Sequence, residues 1–520
     1  MSSAGPPMKI SEPNSAEYIR PSARANSRER PSQQQRQITN SSLHECDWIS
    51  TSLCLPPLDA HGGEVMYLRL PAHQSEASRL KQHGGEGYSS EYDNRLSLMQ
   101  LDNYLATIPQ LVLSTQRLLH GDFATKNNMS NQHDHGEYFR RTLGKQGNQN
   151  SRSSNDMQMH QSAPPHHRLI TSANSGRVIN VLQGEIAHCT ASQADILVSD
   201  GATTCHIVAL WSRYIDSKSD EGQDFIDTIF NGSALATLTH IDGPGYERCV
   251  RDAIYEHIKY HSGQSWQITD NNYTADVINS WSHQASFGKG IIDISIHVMG
   301  GFNDKNGSSI ETTSSVLKTF ASVSSECNNN SFGRRLPQIR MTLKTCAVAS
   351  ANDDGSRCPL GRGLGLEVAT GSIFLAEVDD IAEDGDIVPG ASANDGISAQ
   401  GPAVTVRSVR LWASSFHVPK SKQENRLIVI HRPDSDFLCI EPFFFGYHIN
   451  AQRLLDYSDK KLLLATSTSP DVERLNFVGK VRESLTYMNR NKSEKIFQLG
   501  RPMKFKRVGQ NGWIRITEES

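Results

Sequence analysis

The chain has 520 residues, 37% of them hydrophobic and 21% charged, with 52 Lys and Arg set against 56 Asp and Glu. A net charge of -4 gives no basic field for nucleic acid or an anionic membrane surface, and no apolar run approaches the roughly 18 residues that a membrane span needs. The nine cysteines form no CxxC pair, which argues against a zinc cluster or a disulfide framework, and their odd number without a secretory leader fits reduced thiols inside a cell.

From Met1 to about His167 the chain is rich in Ser, Asn, Gln, His and Gly, as in RPSQQQRQITNSS and KQGNQNSRSSNDMQMHQ. Such composition cannot bury enough apolar surface to offset chain entropy, so residues 1–91 and 121–167 are expected to be disordered. Between them, in 92–120, Leu96, Met99, Tyr104, Leu105, Leu111, Leu113 and Leu118 recur near helical spacing, broken by Pro109. That island is expected to dock on the folded part. The QHDHGEY and PPHHR tracts lie in the polar surroundings, where adventitious metal binding is the stronger reading, and no metal site is expected.

A domain is expected over 168–520, with polar inserted loops near 213–231 and 380–402. Its first strands are RVINVLQ, EIAHCTA, ADILVSD, TTCHIVALW and SALATLTHID, close enough together to suggest antiparallel pairing. A helix follows with Val250, Ala253, Ile254 and Ile258 on one face. In IIDISIHVMGGF, Ile292, Ile294, Ile296 and Val298 alternate with Asp293, Ser295 and His297, which reads as a strand with one buried face ending in a Gly-Gly turn. A Ser/Thr-rich helix over about 309–325 leads to the strand QIRMTLKTCAVA. GLGLEVA, SIFLAEV, VTVRSVRLW, RLIVIHR and FLCIE read as further strands, and Phe477, Val478, Val481, Leu485 and Met488 mark a long final helix. The order implies an α+β fold: a mainly antiparallel, sandwich-like β-sheet core flanked by helices.

Chemistry concentrates in VSDGATTCHIVALW and LATLTHIDGPG, where strands open into glycine turns. A thiol needs an imidazole nearby to become nucleophilic at neutral pH, and Cys205 and His240 meet if their strands pair as a hairpin. A lone cysteine on an apolar strand is more often a core residue, and spacing leaves that alternative open. His206 should point to the opposite face and His297 to a structural hydrogen bond. Ser467, Thr468 and Ser469 before Pro470 read as a turn between helices, and Cys346 as core.

Four strings in order, SDGATTCHIVAL, LTHIDG, HVMGGFND and STSP, resemble the protein N-terminal asparagine amidohydrolases, over about Arg168 to Ser520. The resemblance implies hydrolysis of the side-chain amide of an N-terminal asparagine to aspartate, which feeds the arginine branch of the N-degron pathway and so ubiquitin-dependent degradation. It places the nucleophile on Cys205. A more distant likeness to the bacterial chemotaxis receptor deamidases points to Cys205, His240 and Ser199 as a Cys–His–hydroxyl set. Asp200, Asp242 and Asp304 become candidates for the substrate's α-ammonium group, Thr204 for the oxyanion, and Gly300 and Gly301 for the pocket border. The family usually carries a second acidic residue where this chain has Gly201. No cofactor is implied. The expected partners are proteins and peptides beginning with Asn, neither nucleic acid nor membrane, for a monomer in the cytoplasm and nucleus. An amidohydrolase of internal Gln or Asn, and a silent module that binds N-termini, stay open as alternatives.

Overall fold

β-Branched and aliphatic runs punctuated by Gly, Asp and Pro build the sheets. The computed structural model describes residues 48–49, 70–71, 105, 108–121, 167–171, 176–216, 234–262, 290–304, 308–329, 338–378, 401–417, 426–510 and 512–516. All of these fall in one unit, Asp47–Ser520. In chain order the strands are β1 Trp48–Ile49, β2 Leu70–Pro71, β3 Arg168–Ile170, β4 Val178–Asn180, β5 Glu185–Thr190, β6 Ile196–Ser199, β7 His206–Asp216 and β8 Leu235–Ile241. They continue with β9 Gly290–Gly300, β10 Gln338–Val348, β11 Leu364–Glu367, β12 Ile373–Val378, β13 Ile428–His431, β14 Phe437–Ile440, β15 Met503–Val508 and β16 Gly512–Ile516.

A six-stranded sheet runs β10-β9-β7-β8-β5-β13, antiparallel through its centre and closed at each edge by a parallel pair. A five-stranded sheet runs β3-β12-β11-β6-β4. Between the two lies a layer of side chains that includes Ala187, Cys205, Ile207, Ala209 and Leu238 from the first sheet and Leu197, Leu364, Leu366 and Leu375 from the second. The other face of the six-stranded sheet, with Val208, Leu210, Ile294, Ile296 and Val298, is covered by the helices Glu247–His261 and Ser308–Asn329 through residues such as Ile254, Ile258, Leu317 and Phe320. This is the α+β, sandwich-like core read from the sequence. A three-stranded antiparallel sheet, β14-β15-β16, completes the C-terminal part.

Several elements depart from the sequence reading. VTVRSVRLW is helical, within Val404–His417, and buries Val406, Val409 and Ala413 at three- and four-residue spacing while Arg407 reaches the buried Glu185. A short valine-rich run is compatible with either period, and tertiary burial decides. Pro109 opens a helix rather than breaking one: Pro109–His120 starts on it, where its missing N–H costs nothing, and the Cys346 N–H of β10 donates to Thr115 Oγ1 at 3.2 Å. β7 runs on through Asp216, so Arg213 to Asp216 pair with β9 instead of opening the inserted loop. β9 is buried along both faces, not one, with Asp293 accepting from Arg340. The strands β15 and β16 follow the long helix Phe477–Arg490 and the short helix Ser493–Ile496, and were not expected. Within the segments read as disordered, β1 and β2 form a two-residue antiparallel pair. The rest of 1–91, residues 92–104 of the helical island, the linker over 122–166, the loop over 217–233 and the stretch 379–400 lie outside the described residues.

Candidate active site

β7 and β8 pair antiparallel with Ile207 opposite His240. Side chains alternate along a strand, so Cys205, two positions before Ile207, lies on the same face as His240, one diagonal step away. That face looks into the layer between the two sheets. Cys205 is buried to 8% exposure and His240 to 2%.

Ser199, at the end of β6 in the opposite sheet, comes up against the imidazole. Its Oγ lies 2.6 Å from the Val181 carbonyl and 2.9 Å from His240 Nδ1. A carbonyl can only accept, so the single hydroxyl proton of Ser199 goes to Val181, and His240 Nδ1–H must donate to Ser199. The tautomer follows. Nε2 of His240 is then the unprotonated nitrogen, and it is buried without a hydrogen-bond partner among the described residues. Burial pushes the His240 pKa down to about 4, against the pull of Asp242 and Glu185, so the ring is a neutral base at neutral pH. Burial likewise pushes the Cys205 thiol far up, helped by the carboxylates of Asp242 and Glu473. The resting pair is a neutral thiol beside a neutral imidazole.

The backbone of Cys205 is held from two directions. Gly301 N–H donates to the Cys205 carbonyl at 2.8 Å. A Cβ on Gly300, whose φ is 118°, would stand 2.2 Å from that same oxygen, which explains the Gly-Gly turn. Asn352, fully buried, donates to the carbonyls of Gly301 at 2.9 Å and Gly361 at 3.0 Å, pinning the turn in place. From the other direction comes the STSP segment. Thr468 Oγ1 lies 2.8 Å from Thr204 Oγ1, and Ser469 Oγ donates to Thr203 Oγ1 at 2.9 Å. The sequence reading made this segment a plain turn; it packs directly on the loop that carries the cysteine.

The remaining candidates divide. Asp200 accepts two hydrogen bonds from Arg474, at 2.8 and 2.7 Å, and another from Val378 N–H at 2.9 Å, and so ties three segments together. Asp304 accepts from Ser309 N–H at 3.1 Å in the first turn of the helix Ser308–Asn329. Asp242 lies exposed at the turn after β8 and accepts from the Tyr246 hydroxyl. His206 points to the opposite face, where its Nε2 meets Thr313 Oγ1 at 2.7 Å. His297 is likewise engaged, with Thr345 Oγ1 at 3.1 Å. Glu473, which follows STSP and accepts from Ser467 Oγ, went unnoticed in the sequence; an acidic residue three positions past a proline turn carries no signal by itself. No group of three or more His, Cys, Asp or Glu among the described residues could hold a metal ion, and no helix there is long and apolar enough to cross a membrane.

A buried cysteine, a histidine with one nitrogen committed to a serine, and a glycine turn beneath the cysteine make up a compact polar group at the end of a two-sheet core. The family model for protein N-terminal asparagine amidohydrolases matches residues 169–270 and 269–515, and the chain belongs to that family. The human protein N-terminal asparagine amidohydrolase is 23% identical over 347 residues, which span 65% of this chain and 84% of the relative. The mouse and pig proteins of the same description are each 22% identical over the same length.

Proposed function

We propose that the chain hydrolyses the side-chain amide of an N-terminal asparagine, with Cys205 as nucleophile and His240 as the proton carrier. The observation that carries this reading is the unpartnered Nε2 of His240, fixed as the acceptor tautomer by Ser199 and on the sheet face that Cys205 shares.

In this reading the thiol proton passes to Nε2 as sulfur attacks the amide carbon. Burial disfavours a standing thiolate, so transfer and attack are coupled, and His240 acts as a general base. In the same reading, backbone N–H groups near Thr204 and Cys205 receive the oxyanion, a contribution of about 3 kcal/mol per donor. The imidazolium then gives its proton to the departing amine, which leaves as ammonia and forms a thioester. Water, deprotonated by the same Nε2, attacks the thioester carbon; sulfur departs with the proton, and aspartate is released. Ser199 holds Nδ1–H throughout and stabilises the imidazolium orientation. The product carries an N-terminal aspartate, the form that the arginine branch of the N-degron pathway conjugates, and a cytoplasmic and nuclear monomer would meet such substrates.

The test is ammonia release from matched peptides beginning with Asn, Gln and acetyl-Asn. The expected result is turnover of the free Asn peptide alone, lost in Cys205→Ala while peptide affinity is kept. Turnover of all three peptides would favour a broader amidohydrolase. Tight binding of the Asn peptide without ammonia would favour a recognition module, and full activity in Cys205→Ala would refute the thiol mechanism.

A further inference from the structure

Ser199 commits the His240 ring to one tautomer only while its own proton stays on the Val181 carbonyl, so whatever fixes that carbonyl fixes the base. The same peptide unit carries the Leu182 N–H, which donates to Glu185 Oε2 at 2.9 Å, and the Glu185 N–H returns a hydrogen bond to the Leu182 carbonyl at 3.0 Å. A continuous line results: His240 Nδ1–H, the Ser199 hydroxyl, the Val181–Leu182 peptide and the Glu185 carboxylate. Each donor along it gives its proton in the direction of Glu185, and hydrogen bonds ordered in this way are polarised by the charge at their end.

Strand pairing also brings Glu185 beside the ring. Ile186 on β5 lies opposite Thr239 on β8, and Gly184 N–H donates to the His240 carbonyl at 2.9 Å, so Glu185 stands across from His240. Ile186 and Ile241 belong to the helical side of the sheet, and alternation sends Glu185 and His240 together to the side between the sheets. There Glu185 is buried, and Arg407 grips both its oxygens, Nε to Oε1 at 3.0 Å and Nη2 to Oε2 at 2.5 Å, with Arg410 Nη1 3.9 Å from Oε1. Burial works against the charge, but the two arginines outweigh it and hold the Glu185 carboxyl below its ordinary value. Around the His240 ring, burial disfavours the imidazolium, Asp242 and Glu185 favour it, and His206 is a neutral ring turned to the other face. Asp242 is exposed and screened by water, whereas Glu185 is not. An ion pair this deep is a weak device for stability, since apolar side chains of the same volume serve a core as well or better.

Resting on the amidohydrolase reading above, we propose that Glu185 is a positioning residue for the reaction: through the Val181–Leu182 peptide and Ser199, its buried carboxylate holds His240 as the Nε2 base and stabilises the imidazolium that forms as Cys205 attacks. Glu185 exchanges no proton and touches no substrate. Ser199 is neutral and cannot by itself balance a charged ring; Glu185 supplies the missing negative charge from one peptide unit away. Arg407 keeps that charge in place, and the carboxylate lies between it and the serine, so the negative end of the ion pair faces the histidine.

The experiment follows ammonia release from an Asn peptide by the wild-type chain, by the double variant Glu185→Gln/Arg407→Gln, and by Val406→Ala, which loosens the same helix without touching the line of hydrogen bonds. Gln at 185 still accepts from Leu182 N–H, and removing both charges leaves no arginine orphaned in the core, so the double variant separates charge from shape. Tryptophan fluorescence in the same samples gives the folded fraction. The double variant is expected to lose about 10- to 100-fold in kcat with KM within about twofold, at a ratio to wild type that stays constant from pH 8 to pH 6. Val406→Ala should melt earlier yet keep its kcat. A kcat of the folded double variant within about threefold of wild type overturns the proposal and leaves the amidohydrolase reading standing. So does a ratio that falls steeply toward pH 6, because a ring merely released into water recovers its ordinary value near 6.5 and takes up a proton there. No ammonia from wild type overturns both readings together. Should the double variant fail to fold, nitrogen-15 spectra of the wild-type histidines carry the test: His240 protonated at Nδ1 and bare at Nε2 supports the proposal, and the reverse tautomer refutes it.

Discussion

Acidification should destabilise this protein steeply between pH 6.5 and about 5.5, because its interior stores neutral histidines. Burial pushes His188, His206 and His297 down to about 3 and His240 to about 4, from an ordinary value of 6.5. Each is fixed in a neutral hydrogen-bonded role: His188 Nδ1 meets Thr237 Oγ1 at 2.8 Å, and the others meet Thr313, Thr345 and Ser199. The unfolded chain takes up these protons as the pH falls through 6.5 and the folded chain does not, so the stability they confer is present above 6.5 and lost below it. As long as the folded values stay near 4 or lower, one pH unit below 6.5 costs about 1 kcal/mol per histidine, hence about 4 kcal/mol for the four. Carboxylates raised by burial oppose this, Asp252, Asp353 and Glu473 among them. Asp252, raised to about 6 by burial, binds its proton more readily in the folded chain and returns roughly 0.7 kcal/mol over the same interval. These four histidines and Asp252 alone lose about 3 kcal/mol, to which His257, His261 and His431, likewise lowered by burial, add, a large share of the 5–15 kcal/mol typical of whole proteins. Urea titrations at the two pH values, followed by tryptophan fluorescence, measure it directly as a shift in midpoint at constant slope. A change below about 1 kcal/mol would mean that these rings are protonated in the folded state, and the neutral-base reading of His240 would fall with it.

Ser199→Ala removes the acceptor of His240 Nδ1–H and the donor to Val181, so kcat should fall about 10- to 100-fold with KM nearly unchanged, alongside about 1–3 kcal/mol of stability for the buried groups left unpaired. Steady-state kinetics and thermal melting check both, and a kcat within twofold of wild type would show that the serine does not orient the ring. Gly300→Ala places a methyl group 2.2 Å from the Cys205 carbonyl oxygen at a φ that L residues rarely adopt, so it should cost about 2–4 kcal/mol and abolish activity. Retained activity with an unchanged melting temperature would show that the turn can yield.

The arrangement of the candidate site was legible where it was local. Cys205, His240 and Ser199 stand at the ends of three readable strands, and pairing of two of them brings thiol and imidazole to one face. The contacts of Ser467, Thr468 and Ser469 were not legible, since nothing in a Ser/Thr turn says that it will meet a threonine more than 260 positions earlier. Asn352 is similar: its two carbonyl acceptors, Gly301 and Gly361, lie on different loops that only the fold joins. The helix Val404–His417 was misread because three valines and two arginines suit a strand as well as a helix until Arg407 finds Glu185. Asp200 was legible as an acidic neighbour of the cysteine, but its partner Arg474 was not.

One peptide bond divides the protein's chemistry from its architecture. Strand alternation sends Cys205 into the layer between the sheets and His206 to the helical face, where it meets Thr313. The two adjacent residues therefore report to different cores, and the cysteine cannot move without dragging the histidine out of its packing. Gly300 and Gly301 exploit this: they approach closely enough for Gly301 N–H to hold the Cys205 carbonyl, while a Cβ on Gly301 would strike the His206 ring at 2.8 Å. With Thr203 and Thr204 gripped from the STSP side as well, the backbone at Cys205 is constrained by β9 on one side and by a C-terminal segment on the other. Among the described residues, burial and the carboxylates of Asp242 and Glu473 act on the Cys205 thiol, and all three oppose its ionisation. A rigid, neutral thiol–imidazole pair is safe from adventitious alkylation and oxidation, which require a thiolate.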